Sequence, residues 1–234
     1  NLNRKNNDLR FFEFGKTYST QGPGQYDEHE HLCLYITGQT REDGWKGKGD
    51  AADIFYLKGI VARILLLTGV QKSSWQTGGS KLDNSLQVTV NKEVLVNLGQ
   101  VKQAELKRFD IKQPVFYADI DWELLMAQSA NLDLKVKELP KQLPVRRDLA
   151  MVVPKSLPFA DVESTVKKVK LDKLQSVQLF DIFESEKLGA GKKSLAVSFT
   201  FLDEEKTPTD KDIDGMMNKI MNALEKELQA EIRK

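Results

Sequence analysis

Apolar and polar side chains alternate most clearly in residues 191–201, GKKSLAVSFTF. Because alternate side chains of a strand point to opposite faces, this run predicts a strand with two different faces. The apolar face carries Leu195, Val197, Phe199 and Phe201, and the small polar face carries Ser194, Ala196, Ser198 and Thr200. The preceding run, residues 177–185, is also typical of a strand, and a loop with two glycines separates the runs, which predicts a hairpin.

The same alternation predicts the faces of the first hairpin strand. Phe180 and Ile182 are expected on the apolar side, and Asp181 and Phe183 on the polar side. The two sides of this hairpin therefore differ in chemistry as well as in polarity.

The segments around the hairpin predict a ferredoxin-like β-α-β-β-α-β domain. Residues 147–153 indicate a strand, and Pro158 opens a helix. Thr209 with Asp212 three residues later has the capping-box pattern of a second helix, and residues 230–233 form a closing strand. Right-handed crossovers put both helices on one face of the sheet and leave the other face open.

The first part of the chain predicts an α+β module with an antiparallel sheet. Residues 51–69 have a helical apolar stripe, and residues 122–128 a short helix. Residues 19–31 are rich in glycine and polar residues and predict a loop. Strands are predicted at 9–18 (stopped by Gly15), 32–37, 86–90, 94–101 and 115–121. Pro140 and Pro144 mark the crossing between two domains, residues 1–139 and 140–234.

Charge and cysteine usage limit the function classes. The net charge is +1, and splitting the chain at Pro140 leaves both parts near neutral, so a nucleic-acid site must be a local patch. Cys33 is the only cysteine, which favours a reducing compartment, and we expect a cytoplasmic protein. No apolar run reaches the ~20 residues of a membrane span. The chain starts without Met, on a polar run, and is expected to be a piece of a longer protein.

The polar face of the hairpin has the chemistry of a single-stranded RNA site. Phe183 supplies a ring that can stack on a base, Asp181 and Ser194 supply hydrogen-bonding groups, and lysines lie in the adjoining loop. Arg147 and Lys193 are expected beside them as phosphate contacts.

Several motifs resemble the bacterial phenylalanyl-tRNA synthetase β-subunit family across nearly the whole chain. The anticodon-binding ferredoxin-fold domain of that family is similar to PVRRDLAMVV, FADVE, LFDIFES and GKKSLAVSFTFLDEEKTPTDKDID. Its inactive, class II synthetase-like module is similar to LRFFEFGKTY, HLCLYITG, ADIFYLKGIV and FDIKQPVFYADIDWELL.

The resemblance implies a role in an (αβ)₂ enzyme that joins phenylalanine to tRNA(Phe) with ATP and Mg²⁺ at the α subunit. This stretch is then expected to bind tRNA and support assembly, with no catalytic residue, metal or cofactor of its own. The resemblance places the first anticodon base, guanine, against Asp181, Phe183 and Ser194. The family often has Tyr at position 183, so Phe183 keeps the ring and lacks the hydroxyl.

Other hypotheses remain open. The ferredoxin-like domain could bind a protein or small effector instead of RNA. His29, Glu30 and His31 suggest a metal-dependent enzyme, although zinc usually has four ligands. Cys33 could be a nucleophile only with an ordered base nearby. Arg10 and Glu13 resemble part of the second class II motif but do not complete it.

Overall fold

The computed structural model describes residues 6–70, 73–79, 81–129, 138–185 and 188–233. The chain divides into two compact units, residues 1–135 and 136–234. Part of the expected crossing region, residues 130–137, lies outside the described ranges. None of the helices within those ranges is long and apolar enough to cross a bilayer.

The first unit is built on a six-stranded antiparallel sheet. Its strands are β1 (Leu9–Gly22), β2 (Gln25–Thr37), β3 (Ser74–Thr77), β4 (Asp83–Val90), β5 (Glu93–Gln100) and β6 (Val115–Asp121). Its helices are α1 (Ile54–Leu67), α2 (Gln103–Arg108) and α3 (Trp122–Ser129). The strand order is β1-β2-β6-β5-β4-β3. The predicted α+β class is confirmed, while β3 and α2 were not predicted.

The core of the first unit lies between the sheet and two of these helices. Asp53 caps α1 by accepting a hydrogen bond from the backbone N–H of Tyr56. The apolar stripe of α1, together with Leu125 of α3, packs on alternate residues of β2, β5 and β6. The core includes Leu34, Ile36, Leu57, Val61, Leu65, Val96, Leu98, Ala118, Ile120 and Leu125. The opposite face of the same strands carries mostly polar side chains.

The loop predicted at residues 19–31 is wrong, because β1 and β2 form one long hairpin through this segment. They pair from Leu9 with Thr37 to Gly22 with Gln25, and Gly15 pairs within the ladder instead of ending it. Gly24 has a φ of 80° after Pro23, an arrangement typical of a type II turn. Both faces of the distal hairpin are exposed, so polar residues there carry no buried-face pattern.

The second unit has the predicted ferredoxin-like order. Its elements are β7 (Val145–Pro154), α4 (Phe159–Lys168), β8 (Leu174–Phe183), β9 (Lys192–Phe201), α5 (Asp210–Leu228) and β10 (Glu231–Arg233). The strand order is β10-β7-β9-β8, with every pair antiparallel. The reciprocal bonds of the predicted Thr209–Asp212 capping box are both present at the start of α5.

The two helices of this unit cover a single face of its sheet. Val162 and Val166 of α4 and the apolar stripe of α5 pack on alternate residues of β7 and β9. The core residues from these strands are Leu149, Met151, Val153, Leu195, Val197, Phe199 and Phe201. The predicted apolar row of β9 is therefore confirmed as core.

Phe199→Ala should destabilise the second unit by about 3–5 kcal/mol, because the ring is completely buried and its removal leaves a cavity. Equilibrium urea denaturation, following the transition of this unit, measures the loss. Phe183→Ala is the matched control, since its ring is 53% exposed, and should change the free energy of unfolding little. Equal losses for the two variants would contradict this assignment of faces.

Candidate nucleic-acid interface

We call the sheet surface of the second unit opposite α4 and α5 the open face. Its residues follow from the strand register, because cross-strand partners share a face. It comprises Arg146, Asp148, Ala150 and Val152 of β7; Ser176, Gln178, Asp181 and Phe183 of β8; Lys192, Ser194, Ala196, Ser198 and Thr200 of β9; and Glu231 and Arg233 of β10.

The structure brings three predicted site residues together on the open face. Phe183 lies directly across from Ser194, and Asp181 lies across from the neighbouring Ala196. The Phe183 ring is 53% exposed, whereas Ser194 is only 7% exposed and lies between the Phe183 and Val152 backbone positions. Asp181 is exposed, and within the described residues its carboxylate has no hydrogen bond or ion pair. A stackable ring therefore stands beside an uncommitted carboxylate.

The expected position of Phe180 on the covered face is wrong, because β8 has a bulge there. Leu179 pairs with Val197 and Asp181 pairs with Ala196, so Phe180 is the extra residue. The Phe180 ring is half exposed, and its centroid lies 5.9 Å from the guanidinium carbon of Arg146 on the open face. The bulge thus adds a second ring that strict alternation could not predict.

The expected positions of Arg147 and Lys193 also need correction, because their register places them on the helix-covered face. Arg147 pairs with the buried Phe199, and its Nη2 donates to Asp210 at the start of α5 at 2.6 Å. Lys193 pairs with the buried Val153. Both faces could have been predicted, because Arg147 lies two positions before Leu149 and Lys193 lies two positions before Leu195, in the apolar rows of their strands.

Arg146 of β7 and Lys192 of β9, each one position earlier in its strand, do lie on the open face. Lys192 pairs in register with Pro154, and its ammonium forms an ion pair with Glu231 of β10. Both strands therefore offer a cation on the side where Asp181 and Phe183 lie.

Arg146 takes part in a polar cluster with two neighbours. Its Nε donates to Ser198 Oγ and lies 3.3 Å from Asp148 Oδ1. Hydrogen bonding with Ser198, together with the Arg146 guanidinium, holds the pKa of the Asp148 carboxyl below its ordinary value. The cluster orients the guanidinium toward the Phe180 ring.

Two family models match this chain. Residues 140–233 match the ferredoxin-fold anticodon binding domain, and residues 1–122 match the phenylalanyl tRNA synthetase beta chain CLM domain. The second match covers more than half of the chain. The chain belongs to the phenylalanyl-tRNA synthetase β-chain family.

Curated relatives in this family match the whole chain. The phenylalanine–tRNA ligase beta subunit of Porphyromonas gingivalis is 35% identical over 245 residues. That of Bacteroides fragilis is 37% identical over 245 residues, and that of Listeria monocytogenes is 32% identical over 238. The match with the P. gingivalis protein includes 100% of this chain but only 30% of the length of that relative. Among solved structures, a pyrrolysyl-tRNA synthetase of Desulfitobacterium hafniense is 20% identical over 53% of this chain and 42% of its own, with a TM-score of 0.40.

Arg10 and Glu13, which resemble part of the second class II motif, do not converge in the first unit. The Arg10 guanidinium donates to the backbone oxygens of Gln39 and Thr40, and its carbon lies 6.0 Å from the Tyr56 ring centroid. Glu13 is three residues away and points to the opposite face of β1, so the two cannot act on one ligand. Across the described ranges, no group of three His, Cys, Asp or Glu could hold a metal ion.

The histidines of the suggested metal motif are engaged with other side chains. His31 Nδ1 lies 2.8 Å from Asp119 Oδ1, and its Nε2 lies 3.0 Å from the Thr17 hydroxyl. His29 Nδ1 lies 3.8 Å from the Glu123 carboxylate. Both ring nitrogens of His31 are thus occupied, which disfavours the metal hypothesis.

Cys33 is a half-buried free thiol 3.2 Å from the Tyr117 hydroxyl. Burial raises the pKa of this thiol, which disfavours the thiolate that a nucleophile needs.

Ser198→Ala should raise the pKa of the Asp148 carboxyl toward its ordinary value, because it removes the main group that lowers it. Carboxyl NMR titration measures the change. Since the folded-state pKa is lowered, the Asp148 contribution to stability is present above the unfolded-state pKa and is lost as pH falls through the folded-state pKa. Ser176→Ala, on the open face but outside the cluster, should leave the titration unchanged. An unchanged pKa in Ser198→Ala would show that the cluster does not control Asp148.

Proposed function

We propose that the open face of the second unit binds the anticodon arm of tRNA(Phe), and that the chain acts within phenylalanine–tRNA ligase. The observation that carries the proposal is the exposed Phe183 ring beside the uncommitted Asp181 carboxylate on a sheet face without covering helices. The anticodon-binding family model matches residues 140–233 of this unit. The curated relatives of the chain are phenylalanine–tRNA ligase β subunits.

The two exposed groups have complementary roles toward a guanine base. The Phe183 ring offers an apolar surface for stacking, which requires no particular base. The Asp181 carboxylate only accepts hydrogen bonds, so it pairs with the two donors on the Watson–Crick edge of guanine, N1–H and N2–H₂. Adenine presents an acceptor at N1, which the carboxylate would repel. Stacking thus supplies affinity, and Asp181 selects guanine.

Ser194 and Phe180 extend this site in two directions. Ser194 lies low between strands, where its hydroxyl can reach only an atom that enters deeply beside Phe183. Phe180, with Arg146 over its ring, offers a second stacking surface one strand position away. This arrangement suits two unstacked nucleotides of a loop better than a regular duplex.

Charge on the open face supports few phosphate contacts. Arg146, Lys192 and Arg233 are balanced by Asp148, Asp181 and Glu231. Arg146 and Lys192 can each approach a phosphate while keeping a carboxylate neighbour, which limits non-specific attraction. Recognition of RNA by this unit would then depend more on contacts with the bases than on contacts with the phosphate backbone of the RNA.

In the complete enzyme, the chain would assist a reaction that takes place elsewhere. We infer an (αβ)₂ assembly in the cytoplasm, where the α subunit uses ATP and Mg²⁺ to attach phenylalanine to the tRNA. The first unit would contribute to assembly without catalysing the reaction, since its Arg10 guanidinium is already used within the fold.

Phe183→Ala should weaken anticodon-arm binding by about 1–3 kcal/mol through lost stacking, without unfolding the protein. Fluorescence anisotropy with an anticodon stem-loop of tRNA(Phe) measures the affinity. Ile182→Ala is a close control, because Ile182 has the same 53% exposure but pairs with Leu195 on the other face. Equal effects of the two changes would refute stacking by Phe183.

Asp181→Asn should reduce discrimination between guanine and adenine at the first anticodon position by about tenfold, because an amide can both donate and accept. Paired titrations with the two stem-loops measure the ratio. The alternative, a protein- or effector-binding module, predicts equal weak binding of both stem-loops to the unmodified protein, and that result would replace the RNA proposal.

Arg146→Gln and Lys192→Gln should each reduce the salt dependence of stem-loop binding, by roughly one unit of slope. Arg147→Gln and Lys193→Gln are the matched controls, since they remove the same charges one position away on the helix-covered face. Affinity measured over a range of KCl concentrations gives the slopes. A larger effect from the second pair would mean that RNA contacts the helix side.

A further inference from the structure

A row of polar side chains crosses the first unit on the face opposite its helices. The register aligns one residue from each strand in sheet order: Glu13, Cys33, Asp119, Asn97, Gln87 and Gln76. Such a row is not needed for packing, because the buried residues of these strands lie on the other face. It provides carboxylate, amide and thiol groups on a rigid sheet.

A cavity of about 510 Å³ lies over part of this row. Its floor includes Tyr117, Asp119, Asn97 and Gln87, and its side is lined by Gly79, Lys81, Leu82, Ser85 and Leu86. Residues 82–85 lie close against Gly99, where a Cβ would come within 2.7 Å of the Leu82 Cβ. Glycine at this position therefore lets the side wall approach the sheet. The volume lies within the ~300–1,000 Å³ range typical of small-molecule sites.

The carboxylate in this cavity is held in a fixed orientation. Asp119 Oδ1 lies 2.8 Å from His31 Nδ1, and the other ring nitrogen of His31 lies 3.0 Å from the Thr17 hydroxyl. The Asp119 side chain is 29% exposed. A second oxygen therefore remains to accept a hydrogen bond from a ligand, and a carboxylate binds a charged donor, such as a protonated amine, more strongly than a neutral one.

Other polar groups in the cavity favour a ligand with a second, acidic group. Lys81 lines the cavity, and within the described residues its ammonium has no hydrogen bond or ion pair. Gln87 Nε2 donates to Asn97 Oδ1 at 2.7 Å, which leaves the Asn97 amide N–H groups as donors. A cavity lined by a single lysine and by a carboxylate does not suit a multiply charged phosphate ester.

We propose that this cavity binds a small zwitterion, an amino-acid-like molecule whose ammonium contacts Asp119 and whose carboxylate contacts Lys81. Leu82, which is partly exposed in the side wall, gives the cavity apolar surface for a ligand side chain. The site is separate from the proposed anticodon interface, because every lining residue belongs to the first unit.

Isothermal titration of the whole chain with each of the standard L-amino acids tests the proposal. At least one should bind saturably below about 10 mM, and its N-acetyl derivative, which lacks the ammonium, should bind at least about tenfold more weakly. This comparison of ligands requires no variant. Lack of saturation for every amino acid, or equal binding of the acetylated form, would overturn the proposal.

Variants then locate the site. Asp119→Asn keeps an acceptor for His31 but removes the charge, and should weaken binding at least about tenfold. Asp110→Asn, a matched change outside the cavity lining, should not alter it. Lys81→Met should weaken binding of the amino acid more than binding of its decarboxylated amine. Thermal unfolding checks that each variant is folded, and binding that survives Asp119→Asn in a folded protein would refute the site.

Discussion

The open face depends on one extra residue in an edge strand. Upstream in β8, Val177 and Leu179 pair with core residues of β9, and downstream Ile182 does the same. Regular alternation from Leu179 would turn Asp181 and Phe183 toward the helices. The bulge at Phe180 shifts the alternation by one residue, so that Ile182 shares a face with Val177 and Leu179, while Asp181 and Phe183, the proposed base-binding residues, lie on the open face. The bulge therefore makes the packing of β8 compatible with the proposed recognition of RNA.

Both units share one constraint: each has a sheet with one face covered by helices and the other face left without them. In each, helices bury alternate residues of the central strands, and the other alternate residues are left for polar chemistry. The burial of Phe199 and Ile120 on one face places their neighbours Ser198 and Asp119 on the other face. Functional side chains can then vary without direct loss of core packing, because the core lies on the other side of the backbone.

Much of this arrangement could be predicted from the sequence wherever burial imposes a period. The apolar row of β9, the capping box at Thr209 and the order of elements after residue 145 all follow from local patterns. The distal β1–β2 hairpin could not be predicted in this way, because it is exposed on both faces and its polar residues resemble a loop. The bulge in β8 also has no local sequence signal, since Phe180 is typical of an apolar strand residue. The faces of Arg147 and Lys193, by contrast, were contained in the spacing from Leu149 and Leu195.

The position of β7 has a consequence for synthesis on the ribosome. This strand lies inside the sheet, between β9 and β10, yet both neighbours follow it in the chain, the second only after α5. A nascent chain therefore carries Leu149, Met151 and Val153 with neither edge of their strand paired until much later segments emerge. During that interval, the apolar side of β7 and both of its edges are exposed to non-native contacts.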